Sequence, residues 1–101
     1  MNNLHRLFFK GFSNQTRLEI INLLKKGPLT VSAIGKHLGF EQSRVSHNLK
    51  CLEHCGFVHS EQNGKWKKYS LDEETILPMV VLFDKHIAKY KKRLQQCEVL
   101  S

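Results

Sequence analysis

The sequence predicts a mainly α-helical domain with one small β-hairpin, and three observations support that prediction. Apolar residues recur at helical spacing in successive segments up to residue 55 and in one long segment after residue 72. Between these segments, β-branched and aromatic runs flank Asn63-Gly64, which is a strong hairpin signal. A short turn containing Gly39 joins two of the helical segments. In this order the elements predict a single winged helix-turn-helix domain over residues 1–101.

The first two helices are predicted at residues 4–12 and from about residue 14 to residue 24. Apolar side chains recur about one turn apart in the first of them. Asn14 offers a capping oxygen to the second, which is almost continuously apolar and should lie in the core. The sequence Lys25-Lys26-Gly27-Pro28 ends it with cations, a glycine and a proline.

The helix-turn-helix is predicted at about residues 30–55. Thr30 should cap a helix that runs to Leu38. The next helix begins near residue 42, stops at Gly56 and carries an apolar stripe of Val45, Leu49 and Leu52. Its other faces hold short polar and cationic side chains, which reach base edges and phosphates when a helix lies in a major groove. These candidate DNA-binding residues are Gln42, Ser43, Arg44, Ser46, His47 and Lys50.

The wing is predicted at about residues 57–71, with strands at 57–60 and 66–71 joined by residues 61–65. Lys65, Lys67 and Lys68 lie near its tip and are candidates for contacts with the DNA backbone. The alternative is a solvated edge hairpin that its lysines protect against aggregation.

A last helix is predicted at about residues 72–97, opened by three acidic residues that suit the helix dipole. Pro78 should kink this helix or mark its true first turn. Nothing further along the chain covers its apolar stripe, which predicts a homodimer through the terminal helices. The stripe consists of Met79, Leu82, Phe83, His86, Ile87, Tyr90 and Leu94.

Charge and composition point to an acidic partner and away from a membrane. Sixteen Lys and Arg against nine Asp and Glu give a net charge of +7, which predicts an acidic polymer or surface as the partner. Together with the predicted helix-turn-helix, this leads us to expect double-stranded DNA. No apolar run approaches the roughly 20 residues of a membrane span, and the N-terminus does not look like a secretory signal, so we expect a cytoplasmic protein. We expect no enzyme, because the sequence has no nucleophile elbow, phosphate loop or metal-hydrolase spacing.

Cys51 and Cys55 are four residues apart and should lie on one face of the second helix of the helix-turn-helix. Their β-carbons would be ~5–6 Å apart. A disulfide needs about 3.8 Å between those atoms, whereas a soft metal ion can bridge the wider gap. The pair therefore suits a metal better than a direct disulfide. The alternative is that both are small buried hydrophobes.

Three segments resemble the ArsR/SmtB family of metal-responsive repressors. They are residues 12–21 (Phe-Ser-Asn-Gln-Thr-Arg-Leu-Glu-Ile-Ile), residues 42–50 and the wing from Asn63 to Leu71. Asn14 and Gln15 replace the Asp-Pro of the family, and Glu41 stands where the family usually has a serine cap. The resemblance implies a homodimer that binds a palindromic DNA operator and leaves it when an inducer binds.

The metal sites of the family are matched to different degrees. Thr30-Val31-Ser32 replaces the Cys-Val-Cys of the founding arsenic sensors. The zinc sites on the terminal helix would fall near residues 73, 75, 86 and 89, which leaves too few ligands for a closed site. Asp84 and His86 offer an alternative Asp-x-His pair, although a histidine on such a stripe is more often a packing residue.

The pattern that fits is that of the cadmium- and lead-sensing CmtR-like branch. Its two cysteines at the end of the recognition helix and a third near the C-terminus correspond to Cys51, Cys55 and Cys97. The resemblance implies Cd or Pb as the inducer, and Zn or As also bind thiolates. Two alternatives remain: a repressor of this fold that senses thiol oxidation, with Cys97 pairing to Cys51 or Cys55, and a winged-helix module with no ligand.

Overall fold

The computed structural model describes residues 1–100 and contains five helices and a three-stranded antiparallel sheet. The predicted mainly α-helical fold with a wing is confirmed. In chain order the elements are α1 (Asn3–Ser13), α2 (Gln15–Leu24), β1 (Leu29–Thr30), α3 (Val31–Leu38), α4 (Gln42–His54), β2 (Val58–Asn63), β3 (Trp66–Leu71) and α5 (Ile76–Gln96).

The helix boundaries of the first half follow from capping. The Asn14 side chain accepts a hydrogen bond from the Arg17 amide at 3.0 Å, and the Thr30 hydroxyl accepts one from the Ala33 amide at 3.1 Å. At the end of α4 the Phe57 amide donates to the Leu52 carbonyl at 2.8 Å, across Gly56 with its φ of 79°. This left-handed turn satisfies a carbonyl that the helix leaves open, and it sends the chain directly into the wing.

The sheet is larger than the predicted hairpin. Its strand order is β1-β3-β2, and Leu29 pairs with Tyr69. The strand β1 was not predicted because two residues are too few to show an alternating pattern. In the wing, Asn63 pairs with Trp66, so most of the predicted 61–65 connection is strand and only residues 64 and 65 form the turn. Gly64 takes a φ of 63°, which a glycine adopts without strain.

The start of α5 differs from the prediction. The helix begins at Ile76 and not at residue 72, because Asp72 forms a turn of its own in which its carboxylate accepts hydrogen bonds from Thr75. Those bonds and one from His59 hold the pKa of Asp72 below its ordinary value. Pro78 lies in the first turn, where a proline is tolerated. The kink is at Tyr90, with φ −115° and ψ 24°.

The core gathers around α2, as its apolar sequence predicted, and takes in α4 and the wing. The fully buried side chains are Ile20, Ile34, Val45, Leu49 and Val58, each with 0% exposure. A cluster of phenylalanines extends this core toward both ends of the chain. The ring centroid of Phe57 lies 5.1 Å from that of Phe8 and 5.2 Å from that of Phe12. Phe12 in turn lies 5.5 Å from Phe83 on α5.

Several large apolar side chains around α5 are open to solvent. Val81, Leu82, Ile87 and Leu94 are 55%, 62%, 50% and 38% exposed. A patch of this kind on a small protein commonly marks an interface with another molecule. Among residues 1–100, no helix combines the length and the apolar character needed to cross a membrane.

Candidate nucleic-acid interface and thiol groove

One side of α4 presents polar side chains to solvent. Ser43, His47 and Lys50 are exposed, and they lie opposite the buried stripe of Val45, Leu49 and Leu52. Gln42 is exposed as well, whereas Ser46 is half-buried. Because hydroxyl, imidazole and ammonium groups can bond to bases and phosphates, this face has the chemistry of a reading surface.

Arg44, predicted to bind DNA, is engaged within the protein. Its Nε and Nη2 atoms donate to the Thr16 hydroxyl on α2 at 3.2 and 2.5 Å. The guanidinium carbon lies 3.8 Å from the centroid of the Phe40 ring. Arg44 therefore fixes α4 against α2, and its contact with DNA stays a prediction. The role of Thr16 was missed, because the sequence shows only a hydroxyl residue in an apolar helix.

The start of α4 lacks a side-chain cap. Glu41 occupies the N-cap position and accepts no hydrogen bond from the first turn of the helix. Its carboxylate carries a helpful charge for the helix dipole but leaves the amides of that turn to water. The replacement of the family's serine by Glu41 was expected either to weaken the helix start or to tune phosphate contacts, and the missing cap supports the first of these.

Replacing Glu41 with serine should therefore stabilise the protein by about 0.5–1 kcal/mol, because serine can accept the amide hydrogen bonds that Glu41 does not. Urea denaturation measures the change. Glu74→Ser is the matched control, since it removes the same charge from an exposed residue outside any cap. A Glu41→Ser variant no more stable than this control would contradict the interpretation.

The wing carries its three lysines on exposed positions. Lys65, Lys67 and Lys68 are exposed. Trp66, the single tryptophan of the chain, is 56% exposed beside them, and the Lys65 Nζ lies 5.5 Å from its ring centroid. The Ser60 hydroxyl donates to the Glu53 carboxylate at 2.5 Å and so fixes the wing to α4. From the sequence, Trp66 was predicted only as the start of a strand, and its exposed position beside the lysines was not predicted.

Cys51 and Cys55 carry free, exposed thiols at the end of α4, which excludes their being core fillers. The Cys55 amide donates to the Cys51 carbonyl at 3.1 Å, so the helical turn between them is intact. Both line a groove of about 400 Å³ between α1 and α4, here called the thiol groove. Its other lining residues are mainly apolar: Leu4, Leu7, Phe8, Lys10, Gly11, Arg17, Leu52 and Phe57.

Cys97 follows the last turn of α5 and is half-buried. Within residues 1–100 of one chain, no three His, Cys, Asp or Glu side chains come together to hold a metal ion. Asp84 and His86, the alternative pair of metal ligands, are also engaged elsewhere. The Asp84 carboxylate is bonded to the Lys25 ammonium at 2.6 Å, and the centroid of the His86 ring lies 4.7 Å from that of the Tyr90 ring. In this arrangement, Cys97 of the same chain does not complete a three-thiolate site with Cys51 and Cys55.

The fold and these surfaces define a winged helix-turn-helix protein, with α3 and α4 as the helix-turn-helix and β2 and β3 as the wing. Residues 14–60 match the family described as "Bacterial regulatory protein, arsR family". The homodimeric winged helix-turn-helix domain Mb0332 from Mycobacterium bovis superimposes with a TM-score of 0.74 at 22% identity, covering 97% of this chain and 96% of that chain.

Over the segments that align, curated relatives are about one-third identical to this chain. The probable mercury resistance operon repressor of Streptomyces lividans is 33% identical over 75 residues, which cover 74% of this chain and 60% of that protein. The transcriptional repressor SdpR of Bacillus subtilis is 33% identical over 72 residues, 71% of this chain and 76% of SdpR. The regulator CmtR of Mycobacterium bovis is 32% identical over 62 residues, 61% of this chain and 52% of CmtR.

The chain therefore belongs to the ArsR family of bacterial regulatory proteins. It spans about 60% of the length of the mercury repressor and about half that of CmtR. The family resemblance inferred from the sequence is confirmed.

Proposed function

We propose that the protein is a homodimeric transcriptional repressor that leaves its DNA operator when a thiophilic metal ion binds. The observation that carries this proposal is that α4 holds two surfaces. Its outer side exposes Ser43, His47 and Lys50, and its end exposes Cys51 and Cys55 beside α1. Metal binding at the thiols would therefore act on the same helix that would contact the bases.

DNA binding would combine the reading face of α4 with the wing. The face would enter the major groove, and Lys65, Lys67 and Lys68 would contact phosphates. The net charge of +7 supports an anionic partner, and the names of the mercury, SdpR and arsenical relatives describe repressors. Trp66 adds an apolar contact at the wing, where its ring can pack on the sugar backbone.

The dimer would form through α5. This helix exposes four large apolar residues, and a second copy offers the same residues for a self-complementary contact. The structurally similar Mb0332 domain is described as homodimeric. Two copies would bring two α4 helices to one face, at the one-turn spacing that a palindromic operator requires.

The inducer would bind to thiolates. Cys51 and Cys55 offer two sulfurs, and Cys97 of a second copy would supply the third that a large soft ion such as Cd or Pb accepts. Zinc would need a fourth ligand. The mercury and arsenical relatives support a thiophilic inducer without selecting one.

The phenylalanine cluster gives a route from the thiols to the dimer helix. Cys55 is two residues before Phe57, whose ring packs on Phe8 and Phe12, and Phe12 contacts Phe83 on α5. Metal binding that rotates the end of α4 would displace Phe57 and, through it, α5. The coupling free energy between two such sites is typically 1–3 kcal/mol.

The wing lysines give a first prediction for DNA binding. In a Lys67→Ala, Lys68→Ala variant, the slope of log affinity against log salt should become shallower by roughly 2 per protomer, because each phosphate contact contributes about 0.9. Lys91→Ala, Lys92→Ala is the matched control on α5 and should leave the slope unchanged. Equal slopes in both variants would mean that the wing does not contact DNA.

The proposal as a whole is tested by selecting duplexes from a random pool with the purified protein and adding Cd(II) to the selected complex. We expect inverted repeats with half-sites one helical turn apart, quenching of Trp66 fluorescence on binding, and release by Cd(II). Failure to enrich an inverted repeat would refute the proposal that the protein is an operator-binding repressor. Release by an oxidant but not by Cd(II) would favour the thiol-oxidation alternative.

A further inference from the structure

We propose that a groove between α2 and α5 binds organic cations that combine one ammonium group with an apolar body. This groove, here called the α2–α5 groove, has a volume of about 330 Å³. Among the residues that the structure describes, its lining includes no cysteine and no residue of α4. The inference therefore concerns a second ligand site and does not depend on the proposed function.

The shape of the groove suits a slender apolar group. Positions 15, 18, 19 and 22 of α2 and positions 80, 83, 84 and 87 of α5 line it. Both sets have the spacing of a single helix face, so two helix faces border the groove over about 10 Å. Ile21 and Val80, which are 2% and 6% exposed, form its floor, whereas Leu18 and Ile87 are 46% and 50% exposed at its opening.

The Glu19 carboxylate gives the groove a preference for positive charge. Glu19 is half-buried, and within residues 1–100 its carboxylate has no ion pair and no hydrogen bond. The other carboxylate of the groove, that of Asp84, already binds the Lys25 ammonium at 2.6 Å. Because a carboxylate among apolar side chains has lost part of its hydration, a cation that enters the groove stabilises it.

Two phenylalanine rings favour an ammonium group that carries carbon substituents. Phe12 and Phe83 both line the groove, with ring centroids 5.5 Å apart and ring planes at 82°. The face of an aromatic ring attracts a cation, and quaternary ammonium ligands are commonly recognised in this way. The rings and the carboxylate of Glu19 together therefore favour a substituted ammonium group over a neutral apolar molecule.

A second copy of the chain is the competing occupant of the groove. Ile87 also belongs to the four apolar residues of α5 that would form the dimer contact. A protein segment that filled the groove would cover the Glu19 carboxylate, and the apolar residues of that contact would offer it no cation. Charge complementarity thus favours a small cation, with the dimer contact beside the groove.

The test is a calorimetric titration of the full chain, at constant ionic strength, with three probes. 4-Phenylbutyltrimethylammonium has both the charge and the apolar body, tetramethylammonium has only the charge, and 4-phenylbutanol has only the body. We expect one site per chain for the first probe, with an affinity about tenfold above that of either other probe. The methyl resonances of Ile21 and Val80 should shift in NMR spectra during the same titration.

Glu19→Gln should reduce the affinity for the cationic probe about tenfold and leave the affinity for 4-phenylbutanol unchanged. Glu74→Gln is the matched control, because it removes the same charge from an exposed residue outside the groove and should change neither affinity. Phe83→Leu keeps an apolar side chain but removes the ring, so it should weaken binding of the cation more than binding of the alcohol.

Two results would overturn the inference. One is equal affinity for the cationic probe and 4-phenylbutanol in the unaltered protein, or an unchanged affinity for the cation in Glu19→Gln. The other is dissociation of the dimer by the cationic probe in sedimentation experiments, which would show that a second copy occupies the groove.

Discussion

Replacing Phe57 with alanine should lower the free energy of unfolding by about 3–5 kcal/mol, because it removes a buried aromatic side chain and leaves a cavity. Phe57 is 4% exposed and contacts the rings of Phe8 and Phe12. Its ring also fills the space over Gly11, where an added β-carbon would lie 2.7 Å from the Phe57 Cζ atom. Guanidinium denaturation measures the loss.

Phe9→Ala is the matched control, because Phe9 is 47% exposed and makes one ring contact, with Phe8 at 5.3 Å. This substitution should lower the free energy of unfolding by about 1 kcal/mol or less.

Phe57→Leu keeps most of the buried volume and tests the proposed route from the thiols to α5. This variant should bind Cd(II) as tightly as the unaltered protein does, but Cd(II) should release a smaller fraction of its bound DNA. A Phe57→Leu variant with a full response would show that coupling takes another path.

Arg44→Ala should weaken operator binding by about tenfold to a hundredfold, the effect of roughly 1–3 kcal/mol on a well-placed contact. Two causes are possible: loss of a DNA contact, or loss of the bonds to Thr16 that hold α4 against α2. The structure favours the second, because the Nε and Nη2 atoms of the guanidinium already donate to Thr16 and the group stacks on the Phe40 ring.

A double-mutant cycle with Thr16→Val separates these causes. If Arg44 acts through Thr16, Thr16→Val alone should weaken DNA binding, and adding Arg44→Ala should cost little more. Arg44→Lys should fail to rescue, because lysine cannot donate in the same fork or stack on Phe40 in the same way. Additive losses of DNA-binding free energy in the cycle would contradict a positioning role and would indicate that Arg44 contacts DNA directly.

The parts of the fold that the sequence predicted are those governed by local chemistry. The caps Asn14 and Thr30 and the stop at Gly56 each depend on residues within one turn. The wing depends on a glycine turn and alternating strands. The strand β1 could not be predicted, because its two residues are defined only by pairing with β3. The late start of α5 depends on bonds that Asp72 makes with Thr75 and His59.

In the candidate site, too, the features that depend on local sequence were predicted, and those that depend on the packing of distant segments were not. The spacing of Cys51 and Cys55 placed both thiols on one side of a helix, and the structure shows them lining one groove. The sequence did not indicate that α1 forms the other wall, because that depends on how distant segments pack. Nor could it show that Arg44 turns toward Thr16, 28 residues earlier in the chain. Whether Cys97 joins the pair remains a prediction about two chains.

The central claim is that DNA and a thiophilic ion act on the same helix, so that binding of the ion cancels binding of DNA. One Cd(II) titration tests it, with the anisotropy of a labelled, selected duplex and the charge-transfer absorption of the thiolates recorded in the same cuvette. We expect both signals to change with one midpoint, and Cys55→Ser to abolish both changes while still binding the duplex. A thiolate band that develops fully while the duplex stays bound would contradict the account.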